Sequence, residues 1–200
     1  TVRINNFFDT ANTVNTLEFE SGGQISAAQL YGAFGVAAPT ATQITADILS
    51  DNQIEGTSTD DTLVSGAGND TLTGGLGNDT YVFRSGFGQD TLINNDAAGT
   101  DIAHFSDVDY QSLWLSRSGD DLQINIEGSD DQVKVDDWYV GENHQLDKIR
   151  VGNAVLLNNQ VDQLVTAMAS FDVPSGVGSI VAQDVKDNLQ PVIAQRWQTG

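Results

Sequence analysis

Four aspartates spaced nine, nine and eleven residues apart carry the densest chemical information in this 200-residue chain: Asp61, Asp70, Asp79 and Asp90. Each is followed two residues later by an apolar residue, Leu63, Leu72, Tyr81 and Leu92. The copies GTSTDDTLV, SGAGNDTLT and GGLGNDTYV repeat every nine residues from Gly56, and a looser fourth, SGFGQDTLI, ends at Ile93. Gly66, Gly68, Gly75, Gly77, Gly86 and Gly88 precede the later three carboxylates, while the first copy has Thr57 and Thr59 in those places. Glycine reaches positive φ and, having no Cβ, leaves backbone carbonyls free to converge. Several carbonyls with a carboxylate added per turn form a hard, all-oxygen donor set, which suits Ca²⁺ better than Zn²⁺ or Mg²⁺.

The element that must hold such donors is a tight six-residue turn feeding a very short strand. A glycine-rich linker of Gly, Asp, Asn, Ser and Thr is the competing reading, because the same residues mark disorder. Strict phase over successive copies favours the folded reading when the ion is bound, and the linker reading describes the ion-free chain. The pattern resembles the RTX family, whose glycine-rich, aspartate-containing nonapeptides wind into a parallel β-roll with Ca²⁺ between successive turns. The resemblance makes one nonapeptide half a coil, so Asp61 shares an ion with Asp79 and Asp70 with Asp90. A further GTD ending at Asp101, eleven residues after Asp90, adds a fifth loop and an interval between Asp79 and Asp101. About two to three Ca²⁺ follow from this scheme. Side chains of Asp61, Asp70, Asp79, Asp90 and Asp101 would ligate, with carbonyls of Thr57, Thr59 and the six glycines. The threonines stiffen the first turn, and Ala103 stands where the repeat has a larger apolar residue.

Only 8 Lys and Arg oppose 28 Asp and Glu, a net charge of −20. Such a surface repels nucleic acid and anionic membranes, which bind through basic residues, and attracts divalent cations. There is no cysteine, so neither a disulfide nor thiol chemistry is available. The sequence shows no N-terminal basic-plus-apolar signal and no apolar run long enough to span a membrane, so neither Sec export nor a membrane span is expected. Thr1 falls inside a strand-like stretch, which reads as a piece of a longer protein.

The expected architecture is mainly β: a short parallel β-roll capped by an antiparallel meander and C-terminal helices. Residues 1–34 read as the tail of a preceding module, because TVRINNFF aligns with QVKVDDWY at residues 132–139. Within them, Ser26 to Phe34 fits a short helix. Residues 35–55 form a connection, 56–105 the roll, 106–157 the cap and 158–200 a helical region. A calcium hand starting at Asp51 fails because Thr62 stands at its twelfth position, where Glu belongs. Leu113, Leu115, Leu122, Ile124, Ile126, Val133 and Val135 alternate with polar residues, giving strands joined by turns at Ser118–Asp121 and Gly128–Asp131. Solenoid ends need such a cover. Val161, Leu164, Val165, Met168 and Phe171 keep helical spacing up to Pro174 and Gly176, and Pro191 is placed to start a separate short helix. The RTX resemblance implies a type I export signal in this tail, a bacterial secreted or cell-surface location, and the type I secretion machinery as partner.

No catalytic constellation stands out. His104 and His144 lie outside zinc-binding spacings, GxSxG and phosphate-loop motifs are missing, and the Gly-x-Gly pairs lack the third glycine of a dinucleotide site. Asp60-Asp61, Asp120-Asp121 and Asp136-Asp137 resemble glycosidase carboxylates only superficially and read as solvated turns. Trp114, Trp138 and Tyr139, if exposed, would stack on a carbohydrate, giving an adhesin-like alternative with a glycan or cell-surface ligand. The family resemblance adds another: an accessory region of a secreted protease, lipase or epimerase whose active site lies elsewhere.

Overall fold

The computed structural model describes residues 2–3, 16–19, 24–26 and 42–45, then 50–96, 98–171 and 180–199. Near the N-terminus β1 (Val2–Arg3), β2 (Thr16–Phe19) and β3 (Gln24–Ser26) form an antiparallel sheet. Ser26 closes β3, and the rest of the helix expected there lies outside the described residues.

From β4 (Thr42–Thr45) the chain winds. β4, β6 (Asp61–Val64), β8 (Thr80–Phe83), β10 (Ile102–Phe105) and β14 (Lys148–Val151) pair in parallel in one sheet. β5 (Gln53–Glu55), β7 (Thr71–Thr73), β9 (Gln89–Ile93) and β13 (Gln132–Val135) do the same in the other. Successive strands alternate between sheets, so each turn adds one strand to each: a parallel β-roll.

The D-x-apolar phase fills the space between the sheets. Ile44, Leu63, Tyr81, Ala103 and Ile149 stack through their register on one side, and Ile54, Leu72, Leu92 and Val135 on the other, all buried. Thr62, Thr80, Thr71 and Thr91, on the opposite faces of those strands, remain partly exposed. Ala103 fits because its column neighbours are the larger Tyr81 and Ile149. A second layer comes from Phe83, Phe87 and Phe105, whose rings lie 5.2–6.0 Å apart. The repeat phase alone does not reveal it, and it thickens the core of the later turns.

Parallel stacking extends beyond residues 56–105 in both directions. The meander of β11 (Leu113–Ser118), β12 (Asp121–Ile126) and β13 continues the second sheet through β13, with its turns where the alternation places them. β14 likewise continues the first sheet into antiparallel β15 (Ala154–Leu157) and β16 (Gln198–Thr199). The last parallel strand on each side thus gives its free edge to a hydrogen-bonded neighbour, which removes an aggregation-prone edge.

Helix α1 (Asn158–Met168) buries Val161, Leu164 and Met168, with the Met168 thioether 3.1 Å from the Leu115 amide. Helix α2 (Gln183–Arg196) runs straight through Pro191, correcting the separate helix expected there. Proline removes one backbone donor, but buried Leu189 and Ile193 hold both sides of it in a single helix. Pro174 and Gly176 lie outside the described residues.

Candidate metal centre

Parallel register converts the sequence period into vertical rows of carboxylates. Asp61, Asp79, Asp101 and Asp147 occupy equivalent places on successive strands of the first sheet. Each later member takes the amide of the one before: the Asp61 N–H donates to Asp79 Oδ1 at 2.9 Å, Asp79 N–H to Asp101 Oδ1 at 2.9 Å, and Asp101 N–H to Asp147 Oδ2 at 2.8 Å. In the second sheet Asn52 N–H donates to Asp70 Oδ1 at 2.7 Å and Asp70 N–H to Asp90 Oδ1 at 2.8 Å. The structure thus brings together the pairs Asp61 with Asp79, Asp79 with Asp101, and Asp70 with Asp90.

One hydrogen bond consumes only part of each carboxylate. Asp70, Asp79, Asp90 and Asp101 are 1–2% exposed, and Oδ2 of Asp70, Asp90 and Asp101 is fully buried with no hydrogen-bond partner. A buried anionic oxygen without a partner is expensive. Burial, outweighing the amide hydrogen bonds, pushes Asp79 and Asp90 up to about 7 and raises Asp70 and Asp101 as well, with neighbouring aspartates adding to the rise in each case. A divalent cation answers both problems at once. Asp61 differs, since its Oδ2 accepts the Thr57 amide at 2.6 Å and the Thr57 hydroxyl at 2.8 Å.

The loops fit that role. A Cβ on Gly75, whose φ is +102°, would stand 1.9 Å from the Thr57 carbonyl oxygen, and one on Gly88, at φ +91°, 2.0 Å from that of Gly68. Only glycine lets neighbouring turns approach so closely, and the approach packs carbonyls beside the carboxylate rows. Thr59 lies beneath Gly77 in the same way, Gly68 sits against Ser50, and Gly66 also has positive φ. Gly86 has open space above it, and its amide points instead to Asp131. Among the described residues no three His, Cys, Asp or Glu side chains gather as a metal cluster. Each interval pairs two carboxylates with backbone oxygens, a hard donor set that fits Ca²⁺.

A second ladder runs outside the carboxylates. Asp60 accepts the Asn78 amide at 2.8 Å and Asn78 accepts that of Thr100 at 2.9 Å. Asp51 and Asn69 do the same for Asn69 and Gln89, at 2.8 and 3.0 Å. These bonds fix the spacing of the turns without help from an ion.

The two rows end differently. Val133 stands in register with Asp90, so no next carboxylate follows; Asp131 instead accepts the amides of Gly86 and Gly88 at 2.8 and 2.9 Å. On the other edge Asp147 continues the row. Both residues begin an Asp-x-apolar triplet, at Asp131-Gln132-Val133 and Asp147-Lys148-Ile149, but neither follows a glycine-rich loop, and only register separates their roles. Asp96, whose Oδ2 takes the Gly77 amide at 3.0 Å, carries no repeat signal at all.

The other candidates resolve into structure. Trp114 and Trp138 are 4% and 1% exposed, and Arg117 lies over the Tyr139 ring at 4.2 Å, so the stacking platform does not form. Trp114 and Trp138 belong to the hydrophobic core, and Tyr139 packs against it. His104 pairs with Arg150 at 3.0 Å, and His144 with the Asn94 carbonyl at 3.0 Å. Lys134 lies 2.7 Å from Asp136 and 3.7 Å from Asp121.

Residues 55–92 match the RTX calcium-binding nonapeptide repeat in four copies, and residues 121–163 match the haemolysin-type calcium binding protein related domain. The chain is 34% identical over 117 residues to the iron-regulated protein FrpA of Neisseria meningitidis serogroup C, across 54% of this chain and 10% of that protein. It therefore spans a small part of that relative's length.

Proposed function

We propose, on the premise that residues 55–92 are RTX calcium-binding repeats, that this chain is a module of a longer bacterial protein that stays open where Ca²⁺ is scarce and closes on Ca²⁺ outside the cell. The observation that carries this reading is the pair of buried carboxylate rows in which Oδ2 of Asp70, Asp90 and Asp101 lacks a hydrogen-bond partner. Asp61, Asp70, Asp79, Asp90 and Asp101, with the loop carbonyls, would hold about two to three ions. The bound ion supplies charge neutralisation and an oxygen-rich junction between turns. The chain's own residues set the spacing, through the amide-to-carboxylate ladder and the glycine contacts. Binding to the closed form alone then stabilises it by mass action.

Such a switch suits export of an unfolded chain through the type I secretion machinery, with folding after release opposing return. Residues 158–200 are the segment assigned to that machinery. Val161, Leu164 and Met168 are buried in the closed form, so their recognition would precede folding. Removing residues 158–200 in a host with a type I exporter should abolish release, and undiminished release would reject this part of the proposal. Catalysis, if the parent protein has one, belongs to other regions.

Far-UV circular dichroism during Ca²⁺ titration of the chelated chain tests the switch. A cooperative gain of β signal is expected. A spectrum already folded in chelator and unmoved by Ca²⁺ would overturn it.

A further inference from the structure

The first carboxylate row does not stop where the nonapeptides stop. Asp101 lies beyond the matched repeats, and Asp147 lies in the following domain, 46 residues further along. Yet Asp147 performs the same backbone task as Asp79 and Asp101: its Oδ2 accepts the amide of the preceding rung at 2.8 Å. β14 places it there by pairing Lys148 with Ile102 in the parallel register used throughout the roll.

The interval between these rungs is walled. Asn94, 2% exposed, donates its side-chain amide to the Gln145 carbonyl at 2.9 Å, and its own carbonyl meets His144 Nδ1 at 3.0 Å. The loop before Asp101 and the loop before Asp147 are therefore tied together. Asp101 is 1% exposed, and its Oδ2 is buried without a hydrogen-bond partner. Asp96 and Asp147 are the anions that bear on it most strongly. Asp96 is itself tied to the amides of Gly77 and Ala98 at 3.0 and 2.8 Å, facing the turn below. An unpartnered buried oxygen on Asp101 and a second carboxylate in register repeat the paired carboxylates of the intervals below. No glycine cradle contributes, so nothing in the nonapeptide pattern marks the place.

We infer that the interval between Asp101 and Asp147 is a further divalent-cation site of the Ca²⁺ class, built by the domain after the repeats and extending the ion row into it. The inference rests on the calcium reading above and assigns that row one more place. It also gives the post-repeat domain a function: its last parallel strand completes an ion junction, so capping and metal loading are linked.

The test counts ions on the full chain by calorimetry with Ca²⁺, checked by equilibrium dialysis and elemental analysis. Asp147→Asn keeps a side-chain oxygen for the Asp101 amide while removing the charge. It should bind one Ca²⁺ fewer per chain than wild type, with the repeats still loading. Asp121→Asn alters a cap carboxylate on β12, which accepts the Asp137 amide away from both rows, and should leave the count unchanged. Equal counts for wild type and Asp147→Asn would overturn the inference while leaving the repeat sites intact. A count reduced equally by Asp121→Asn would also overturn it, because general cap damage would then explain the loss. No Ca²⁺ bound to any of the three proteins would reject the calcium reading itself, and this site with it.

Discussion

At the residue scale, the carboxylates of this roll divide their oxygens. One holds the amide of the turn before, and in Asp70, Asp90 and Asp101 the other is buried without a hydrogen-bond partner, the place the proposed reading gives to a cation. Asp79 stands at the centre of its row, holding the Asp61 amide and giving its own to Asp101, so the proposed reading places it between two ions. Asp79→Ala should therefore raise the Ca²⁺ midpoint for folding more than Asp61→Ala, whose carboxylate is already engaged by Thr57; equal shifts in the same circular dichroism titration would contradict this. Protons compete for the same oxygens. Asp79 and Asp90 rise from 3.8 to about 7 because burial disfavours their charge. For a raised carboxylate, the folded form's advantage is complete below the unfolded value and is lost as pH climbs through the folded value. The metal-free roll should thus be more stable at about pH 5 than at about pH 8, while the Ca²⁺ midpoint should rise on acidification. Far-UV circular dichroism in chelator, with more β signal expected at the lower pH, measures the first effect and Ca²⁺ titration the second. Gly75→Ala tests the cradle: a Cβ 1.9 Å from the Thr57 oxygen, at φ +102°, should destabilise the loaded roll by about 1–3 kcal/mol.

At the element scale, the strands are too short to stand alone, and register makes them a structure. Val133 lies in register with Asp90 and is fully buried, so Val133→Ala should cost about 1–3 kcal/mol in the loaded chain, measured by urea denaturation, and should leave the ion count unchanged. The nine-residue step made the short strands, their inward Leu63, Leu72, Tyr81 and Leu92, and the pairing of Asp61 with Asp79 legible from residue types. It could not reveal that β13 and β14 extend both sheets, because their alternation looks alike whether a strand caps a roll or joins it. Asp131 and Asp147 show the difficulty: both start the same triplet, yet one lies two residues out of phase with Asp90 while the other falls in phase with Asp101. Phe83, Phe87 and Phe105 escaped because each sits outside the apolar position of the repeat. Trp114 and Trp138 were open to two readings until burial by neighbouring strands and helices decided for core.

At the scale of the whole molecule, a net charge of −20 works against closure unless cations gather where the chain brings its carboxylates together. Three bound Ca²⁺ would bring the balance to −20 + 6 = −14. The chain's own ladders of Asp60, Asn78, Asp51 and Asn69 match the spacing of the turns, so on the proposed reading an ion would complete a geometry the sequence already specifies. Mg²⁺ prefers a smaller octahedral shell and retains its waters, so at equal millimolar concentration it should fail to induce the β signal that Ca²⁺ induces. Hydrogen exchange of the backbone amides from Asp61 to Phe105 asks most directly whether the ion closes the roll. The amides of Asp61, Asp70 and Asp79, each held by the next carboxylate in its row, should be protected with Ca²⁺ and exchange freely in chelator. Equal protection in both conditions would contradict the account.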